Sequence, residues 1–169
     1  MEQLDWHYTT LFLPRMAGLT DEEYFWEPVP GCWSVRPLSN GRWMVDVQLP
    51  HPDPPPVTTI AWRLCHIGGG VLASRNAEHF GAGTFDVRTH HYPSGASEAI
   101  AWIEREYAIW KAGVLALDDE ELATPVGAKE PFPDVPMATL VLHINREFIH
   151  HAAEVALLRD LYRARLGAI

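Results

Sequence analysis

The stretch MATLVLHINREFIHHAAEVALLRDLYRAR, residues 137–165, decides the fold expected for this chain of 169 residues. It follows the proline-rich segment EPFPDVP, which separates it from the preceding sequence. At about 100° per residue, leucines near both of its ends fall on one side of a helix, namely Leu140, Leu158 and Leu161. The stretch therefore predicts a long amphipathic helix, the fourth and last main helix of the fold.

Titratable residues share the leucine side of this predicted helix. With His143 set at zero, Glu147 falls at about 40° and His151 at about 80°. On the same scale His150 falls at about −20° and Glu154 at about 20°. The opposite side is predicted to face solvent and carries Asn145, Ala152, Ala156, Arg159 and Arg163.

This clustering of His and Glu on one stripe indicates a metal site. One inward histidine is usually a satisfied core residue, but several titratable groups together need pairing or a metal, because an unpaired buried charge costs several kcal/mol. Glu147 and His151 are one helical turn apart, so both can reach the same ion.

A third ligand has to come from another helix. The candidates are His7, His66 and His79. His66 lies inside a predicted helix beside three consecutive glycines, whose small size would leave room for a ligand or for close packing. His79 near a helix end and the loop pair His90 and His91 are expected to be solvated.

Working outward, the remaining sequence predicts three more main helices. The first covers about residues 2–18 with a break at Pro14, and a short helix follows that is capped by Thr20, with Glu23 in the capping-box position. The second covers about 57–80 and the third about 95–117. Residues 28–56 hold eight of the 14 prolines and predict a long ordered loop with a short hairpin near 41–47. The fold class is thus all-α: a single domain over 1–169, a four-helix bundle with a long proline-rich crossover between the first and second main helices.

Composition excludes several classes of protein. The chain has 13 Lys plus Arg against 22 Asp plus Glu and no basic run, which argues against nucleic acid or an anionic membrane surface as partner. No apolar run approaches the about 18 to 20 residues of a membrane span. The start MEQLDWHYTT lacks the features of a secretory signal, so a cytoplasmic location is predicted. A hydrophobic content of 47% with seven Trp predicts an apolar patch that a homodimer would cover.

Several of these motifs, in this order, resemble the DinB-like superfamily of damage-inducible and thiol-dependent enzymes. They are Trp62 to His66, HINREFIHH at 143–151, LLRDLY at 157–162, and the segment from LTDEE at 19–23 through WEP at 26–28 to CWSV at 32–35. The resemblance implies a four-helix bundle that holds one divalent ion at its centre and forms a homodimer. It is similar to the mycothiol-dependent branch, where a glutamate replaces one histidine, and it implies His66, Glu147 and His151 as ligands. The separate domain of some mycothiol-dependent isomerases has no room in this chain.

The predicted function is that of a metal-dependent enzyme. By resemblance, the chemistry is transfer of a small thiol to a small electrophile, or a related hydrolysis. Zinc suits two His and one Glu, and nickel, iron and manganese are alternatives. Candidates for orienting the ligands or acting as general base are His143, His150 and Glu154. Cys65 adjoins His66 but is not predicted to be a nucleophile, because adjacent helical residues point about 100° apart.

Two rival functions stay open at the level of the sequence. The first is a stress protein that binds or sequesters metal without catalysis. The second is an iron enzyme that uses oxygen, since two His and one carboxylate also form the ligand triad of that class.

Overall fold

The computed structural model describes residues 1–50 and 52–167, so His51 and residues 168–169 of the predicted domain 1–169 lie outside the described residues. Most elements are helical. The α-helices are α1 Glu2–His7, α2 Leu13–Met16, α3 Asp21–Tyr24, α4 Ile60–Cys65, α5 Ser74–His79, α6 Ala96–Ala116, α7 Asp119–Ala123 and α8 Met137–Arg165. Two π-helical segments are π1 Tyr8–Phe12 and π2 His66–Ala73. The strands are β1 Val35–Pro37 and β2 Trp43–Val45.

The first helical stretch, α1–π1–α2, runs without interruption from Glu2 to Met16, because its junction residues keep right-handed helical dihedrals. The predicted break at Pro14 is therefore wrong. Pro14 lies in the first turn of α2, directly after a π turn in which the Leu13 amide donates to the Tyr8 carbonyl. The wider turn accommodates a residue that has no N–H of its own to donate.

The second stretch, α4–π2–α5, starts three residues later than predicted. The Trp33 amide donates to the Val57 carbonyl at 2.9 Å, and the Thr59 amide donates to the Trp33 carbonyl at 2.9 Å. These bonds hold the backbone before Ile60 in an extended conformation. The Thr59 hydroxyl then accepts from the Trp62 amide at 3.2 Å and caps the helix.

The other two long helices lie close to their predicted bounds. α6 covers Ala96–Ala116 against a prediction of 95–117, and α8 covers Met137–Arg165 as predicted. The N-terminus of α6 is capped by a residue that is far away in sequence: the Asp21 carboxylate accepts from the Ala96 amide at 2.8 Å. Among the described residues, no helix has the length and apolar character needed to cross a membrane.

The short helix α3 has the predicted cap but not the predicted capping box. The Thr20 hydroxyl accepts from the Glu23 amide at 3.2 Å. The Glu23 carboxylate points elsewhere and binds Arg159 on α8 through both oxygens, at 2.6 and 3.0 Å. A long-range ion pair thus replaces the local contact.

The proline-rich segment predicted as a crossover contains a hairpin that begins earlier than predicted, at Val35 and not near residue 41. Its strands β1 and β2 pair antiparallel, with Val35 opposite Val45. Asp46 links the hairpin to its surroundings: its carboxylate accepts from the Ser34 amide at 2.9 Å, and its carbonyl accepts from the Trp62 indole at 2.9 Å. The segment is thereby joined to α4 close to His66.

A continuous core joins these elements, with Trp110, Ile103, Leu64 and Phe148 fully buried. α4 and π2 pack against α8, π2 also packs against α6, and α1 contacts α8. This arrangement turns the His66 end of α4 toward the middle of α8.

The core-facing side of α8 is not the predicted one. Ala152 and Arg159, predicted to face solvent, are 5% and 0% exposed, whereas the Leu161 residue is 47% exposed. The core face centres on Ile144, Phe148 and Val155. The stripe of His and Glu therefore lies along the edge of the core, where ions can still reach it.

Candidate metal centre

His66 and His151 come together where α4 and π2 pack on α8. Their ring centroids are 4.6 Å apart and the ring planes are nearly perpendicular, at 89°. The His66 ring also stacks on Trp62, with centroids 5.2 Å apart. Burial, helped by the nearby charges of His151 and Arg63, lowers the pKa of His66 to about 4. The imidazole is thus neutral at pH 7 and keeps a lone pair available for a metal ion.

Glu147 lies one turn before His151 on α8. Its Oε2 is 3.5 Å from His151 Nε2, and its Oε1 accepts from the Arg146 guanidinium at 3.2 and 3.3 Å. Burial raises the pKa of Glu147, but the hydrogen bond from Arg146 and the charges of His143 and His151 outweigh this and lower it. The carboxylate is therefore ionised and can serve as an anionic ligand.

The other nitrogen of His151 is held by Glu154. His151 Nδ1 and Glu154 Oε2 are 2.7 Å apart, and Arg63 Nε forms an ion pair with the same carboxylate oxygen at 3.1 Å. A bond to a carboxylate assigns the ring proton to Nδ1, which leaves the Nε2 lone pair on the side of Glu147. This matches the way that metal-binding histidines are oriented by a carboxylate behind them.

Within residues 1–50 and 52–167, the donor atoms that all lie within 4.8 Å of one another belong to His150, His151 and Glu154. His66 is outside this group. The two candidate sets, His150 with Glu154 and His66 with Glu147, share His151 but lie near different nitrogens of its ring: Nδ1 is close to Glu154, and Nε2 is close to Glu147. The Arg63 guanidinium lies 3.4 Å from His151 Nδ1, the nitrogen that contacts Glu154. A cation in that position disfavours a divalent ion there.

The family model for the DinB superfamily matches residues 3–155. The chain belongs to the DinB superfamily. Comparisons with curated proteins and with solved structures give no match. The DinB superfamily is generally metal-dependent, and the side chains of His150, His151 and Glu154 could hold an ion. The matched range contains all of the candidate ligands.

The other residues that the sequence suggested for the site lie at the edge of the cluster formed by His66, Glu147 and His151, or away from it. The side chains of His143 and His150 are 41% and 62% exposed, and each lies near a glutamate one turn later, at 3.7 and 3.4 Å. His7 packs edge-on against Phe148, with centroids 6.3 Å apart, and lines a separate groove on α8.

Two of the histidines predicted to be solvated are not. The His79 side chain is 7% exposed and its Nε2 lies 3.1 Å from Glu130 Oε1. His90 is half-buried and stacks on Trp102, with centroids 4.8 Å apart. His91 is exposed, as predicted. Sequence reasoning missed Glu130 because it lies in a connection far from His79 along the chain.

The three glycines next to His66 have different neighbours. A Cβ on Gly68 would lie 2.7 Å from Trp102, and one on Gly69 would lie 2.8 Å from Phe85. A Cβ on Gly70 would lie 3.1 Å from His66 Nδ1. The prediction that Gly69 leaves space beside an ion is therefore wrong, and Gly70 is the glycine that allows the His66 ring to lie where it does.

Two tryptophans lie close to His66, and a third, Trp43, lies elsewhere. Trp62 stacks on His66, and Trp33 lies 6.0 Å from Trp62 between ring centroids. Trp43 stacks instead on Phe25 at 5.4 Å. Cys65 is 1% exposed, and burial raises the pKa of its thiol to about 12, which fits the prediction that it is not a nucleophile.

Arg63 is a site residue that the sequence analysis missed. It lies on α4, three residues before His66, a spacing that places both side chains on one face of a helix. That spacing is the feature of the sequence that could have identified Arg63 as a site residue. It carries little weight alone, because most such arginines face solvent.

Proposed function

We propose that this protein is a divalent-metal-dependent enzyme whose ion is held by His66, Glu147 and His151. The observation that supports this best is the meeting of two imidazoles from different helices beside an ionised carboxylate. Two imidazoles and one carboxylate form a donor set that suits zinc, and nickel, iron and manganese use the same atoms. Three protein ligands leave a position open for a small molecule.

The rival group of His150, His151 and Glu154 fits an ion less well. Glu154 already binds His151 and forms an ion pair with Arg63. An ion there would have to displace or repel the guanidinium. In the proposed set Glu147 has Oε2 directed to His151 Nε2, while Arg146 engages only Oε1. Glu154 then acts as the group that orients His151.

We further propose transfer of a small thiol to an electrophile. When bound, the ion supplies a lowered pKa for a thiol or a water molecule. The partly exposed His143 or His150 accepts the thiol proton. The sulfur forms a bond to the electrophilic carbon, and the leaving group departs with the bonding electrons and takes up that proton. Hydrolysis follows the same scheme, with water in place of the thiol.

The finer description of the fold is part of the same proposal. The stretches 2–16, 60–79, 96–116 and 137–165 would form a four-helix bundle in a single domain, with the crossover closing one side of the metal site. The packing of α4 and π2 on α8 and of π2 on α6 supports this. The homodimer stays a prediction: light scattering at micromolar concentration should give twice the chain mass, and a monomer would contradict it.

Metal content of point variants tests the ligand assignment. Purified His66→Ala and Glu147→Gln should each lose most of the bound metal, measured by elemental analysis. The matched controls are His150→Ala, a ligand of the rival group, and Glu104→Gln, an exposed glutamate on α6. If His150→Ala loses the metal and His66→Ala keeps a full equivalent, the rival group is the site.

Cobalt substitution tests the chemistry. Thiols added to the cobalt form should produce a sulfur-to-cobalt charge-transfer band that is lost in His66→Ala. A spectrum that no thiol changes would exclude thiol transfer and favour hydrolysis or simple metal binding. Turnover that requires oxygen, compared with an anaerobic assay with a thiol, would favour the iron enzyme.

A further inference from the structure

A cavity of about 520 Å³ lies beside the proposed metal centre. It is enclosed by the connection between α7 and α8 and by the first turns of α8, and we call it the connection pocket. This volume is within the range of about 300–1,000 Å³ that small-molecule sites occupy. The proposed function does not by itself assign any ligand to it.

The walls of the connection pocket are mostly apolar. The apolar side chains that line it are Val126, Phe132, Val135, Leu140 and Leu142. Phe132 and Leu142 are 73% and 70% exposed, which is unusual for large apolar residues. An apolar ligand would cover both and gain the free energy of removing their surface from water.

The polar groups of the pocket carry a surplus of positive charge. Arg75 and Arg146 both line it, whereas Glu130 is the one carboxylate among its lining residues. Glu130 is already engaged, because it lies 3.2 Å from Arg75 Nη2 and 3.1 Å from His79 Nε2. Arg75 Nε is buried without a hydrogen-bond partner in the described part of the chain. The terminal nitrogens of Arg75 are engaged, so Arg146, whose side chain is 70% exposed, is the guanidinium that the pocket offers to an anion.

The pocket is also in contact with the proposed centre. Arg146 Nη2 lies 2.7 Å from His143 Nδ1 and 3.2 Å from Glu147 Oε1. At the other end, Arg75 Nη1 donates to the Gly70 carbonyl at 2.6 Å, and Gly70 abuts the His66 ring. The pocket is thus linked to Glu147 through Arg146, and to His66 through Arg75 and Gly70.

We propose that the connection pocket binds the electrophilic substrate, and that this substrate is a small molecule with an apolar body and one carboxylate. Its role in catalysis rests on the proposed function. Arg146, whose side chain is 70% exposed, turns its guanidinium to the substrate carboxylate and binds it through two parallel hydrogen bonds. The apolar body lies against Phe132, Val135 and Leu142.

Calorimetric titration with two probes of similar shape tests the pocket. The probes are 4-phenylbutyrate and its neutral analogue 4-phenylbutanol, each added to the metal-loaded protein and to protein stripped with a chelator. The acid should bind at least about tenfold more tightly than the alcohol, as expected for a hydrogen bond to a charged group. Arg146→Met should abolish that preference, and Arg88→Met, which removes an exposed arginine outside the pocket, should keep it.

Filling the pocket provides a second variant that should not disturb the core. Thr139 lines the pocket and is exposed, so Thr139→Phe should weaken both probes without unfolding the protein. Equal affinity for acid and alcohol, a preference that survives Arg146→Met, or unchanged binding to Thr139→Phe would each overturn the pocket assignment.

The cobalt form separates the pocket from the proposed function. Binding of 4-phenylbutyrate should change the cobalt spectrum of wild type, because the acid draws Arg146 away from Glu147. If the acid binds with the expected preference but leaves the spectrum unchanged, the substrate role is overturned while the metal site stands. If the acid binds equally to stripped protein and the chain takes up no metal, the proposed function fails and the pocket stands.

Discussion

Helix α8 carries two polar clusters that solve the problem of buried charge in different ways. At Arg159, which is 0% exposed, Nε and Nη2 bind both oxygens of Glu23, while Nη1 donates to the carbonyls of Arg15 and Ala17. Two turns earlier, His151 is bound on one side by Glu154, and its other nitrogen faces Glu147 and the His66 ring.

The difference lies in the balance of donors and acceptors. The Arg159 cluster matches each guanidinium nitrogen with an acceptor, so nothing further is needed for its stability. The His151 cluster gathers lone pairs from two imidazoles and a carboxylate, a set that a cation would complete. A cluster in which every donor has an acceptor therefore indicates a structural role. A cluster with more acceptors than donors indicates a binding role. The following predictions test that contrast.

Disrupting the Arg159 cluster should have the largest effect on the stability of the fold. Arg159→Met leaves the Glu23 carboxylate buried without a partner and should lower the free energy of unfolding by about 3–5 kcal/mol in urea titrations. The control is Asp160→Asn, which removes a solvent-exposed ion pair to Arg15 and should cost less than about 1 kcal/mol. Equal losses in the two variants would show that burial of the Arg159 pair is not what matters.

Adding metal should stabilise the His151 cluster and have no effect on the Arg159 cluster. Zinc at 100 times its dissociation constant should raise the free energy of unfolding of stripped wild-type protein by about 2.7 kcal/mol, because the ion binds the folded state. Glu147→Gln should lose this gain, and Glu104→Gln should keep it. A gain that persists in Glu147→Gln would place the ion elsewhere.

Adding one methyl group at neighbouring glycines should separate packing from binding. Gly68→Ala forces the buried Trp102 to move and should cost about 1–3 kcal/mol of stability. Gly70→Ala instead presses on the His66 ring and should weaken metal affinity by about tenfold, as displaced supporting groups do in other metal sites. If both variants lose stability and neither loses affinity, Gly70 does not position His66.

The smallest expected effect concerns Cys65. Its thiol, with a pKa raised to about 12 by burial, should not react with a disulfide reagent at pH 8 in the folded protein. Cys32, 2% exposed, should be equally inert through lack of access. Both should react once the chain is unfolded in urea. Rapid labelling of Cys65 in the folded state would reopen a nucleophilic role.

The sequence predicted the parts of the fold that depend on local pattern. The bounds of α6 and α8 follow from periodicity, and the structure agrees with them to within one residue. The hairpin exists, but only its second strand lies within the predicted range 41–47. Burial of Arg159 could not be predicted in this way. Its partner Glu23 lies 136 residues away, and a helical wheel places an arginine beside small residues in solvent.

The candidate site was predictable only within α8. The spacing of Glu147 and His151 indicates a shared ion. The sequence around His7, His66 and His79 does not show which of them is the third ligand. That choice depends on how α4 packs against α8, and the resemblance to a known family anticipated it. The supporting contacts of Arg63 and Arg75 depend on the same packing and were missed.

The π-helical segment His66–Ala73 has a consequence for how the chain tolerates insertions and deletions. Its hydrogen bonds reach five residues ahead instead of four, so the segment holds extra chain length within an otherwise regular helix. Removing one residue between Gly68 and Ala73 would let the helix close into ordinary α geometry with little damage to its backbone. A π turn rotates the chain by less per residue than the about 100° of an α-helix, so the shorter α segment would leave His66 and Arg75 in nearly the same relative orientation. The segment is thus a place where the chain could lose one residue while both ends of the helix, and His66 with them, keep their packing against α8 and α6.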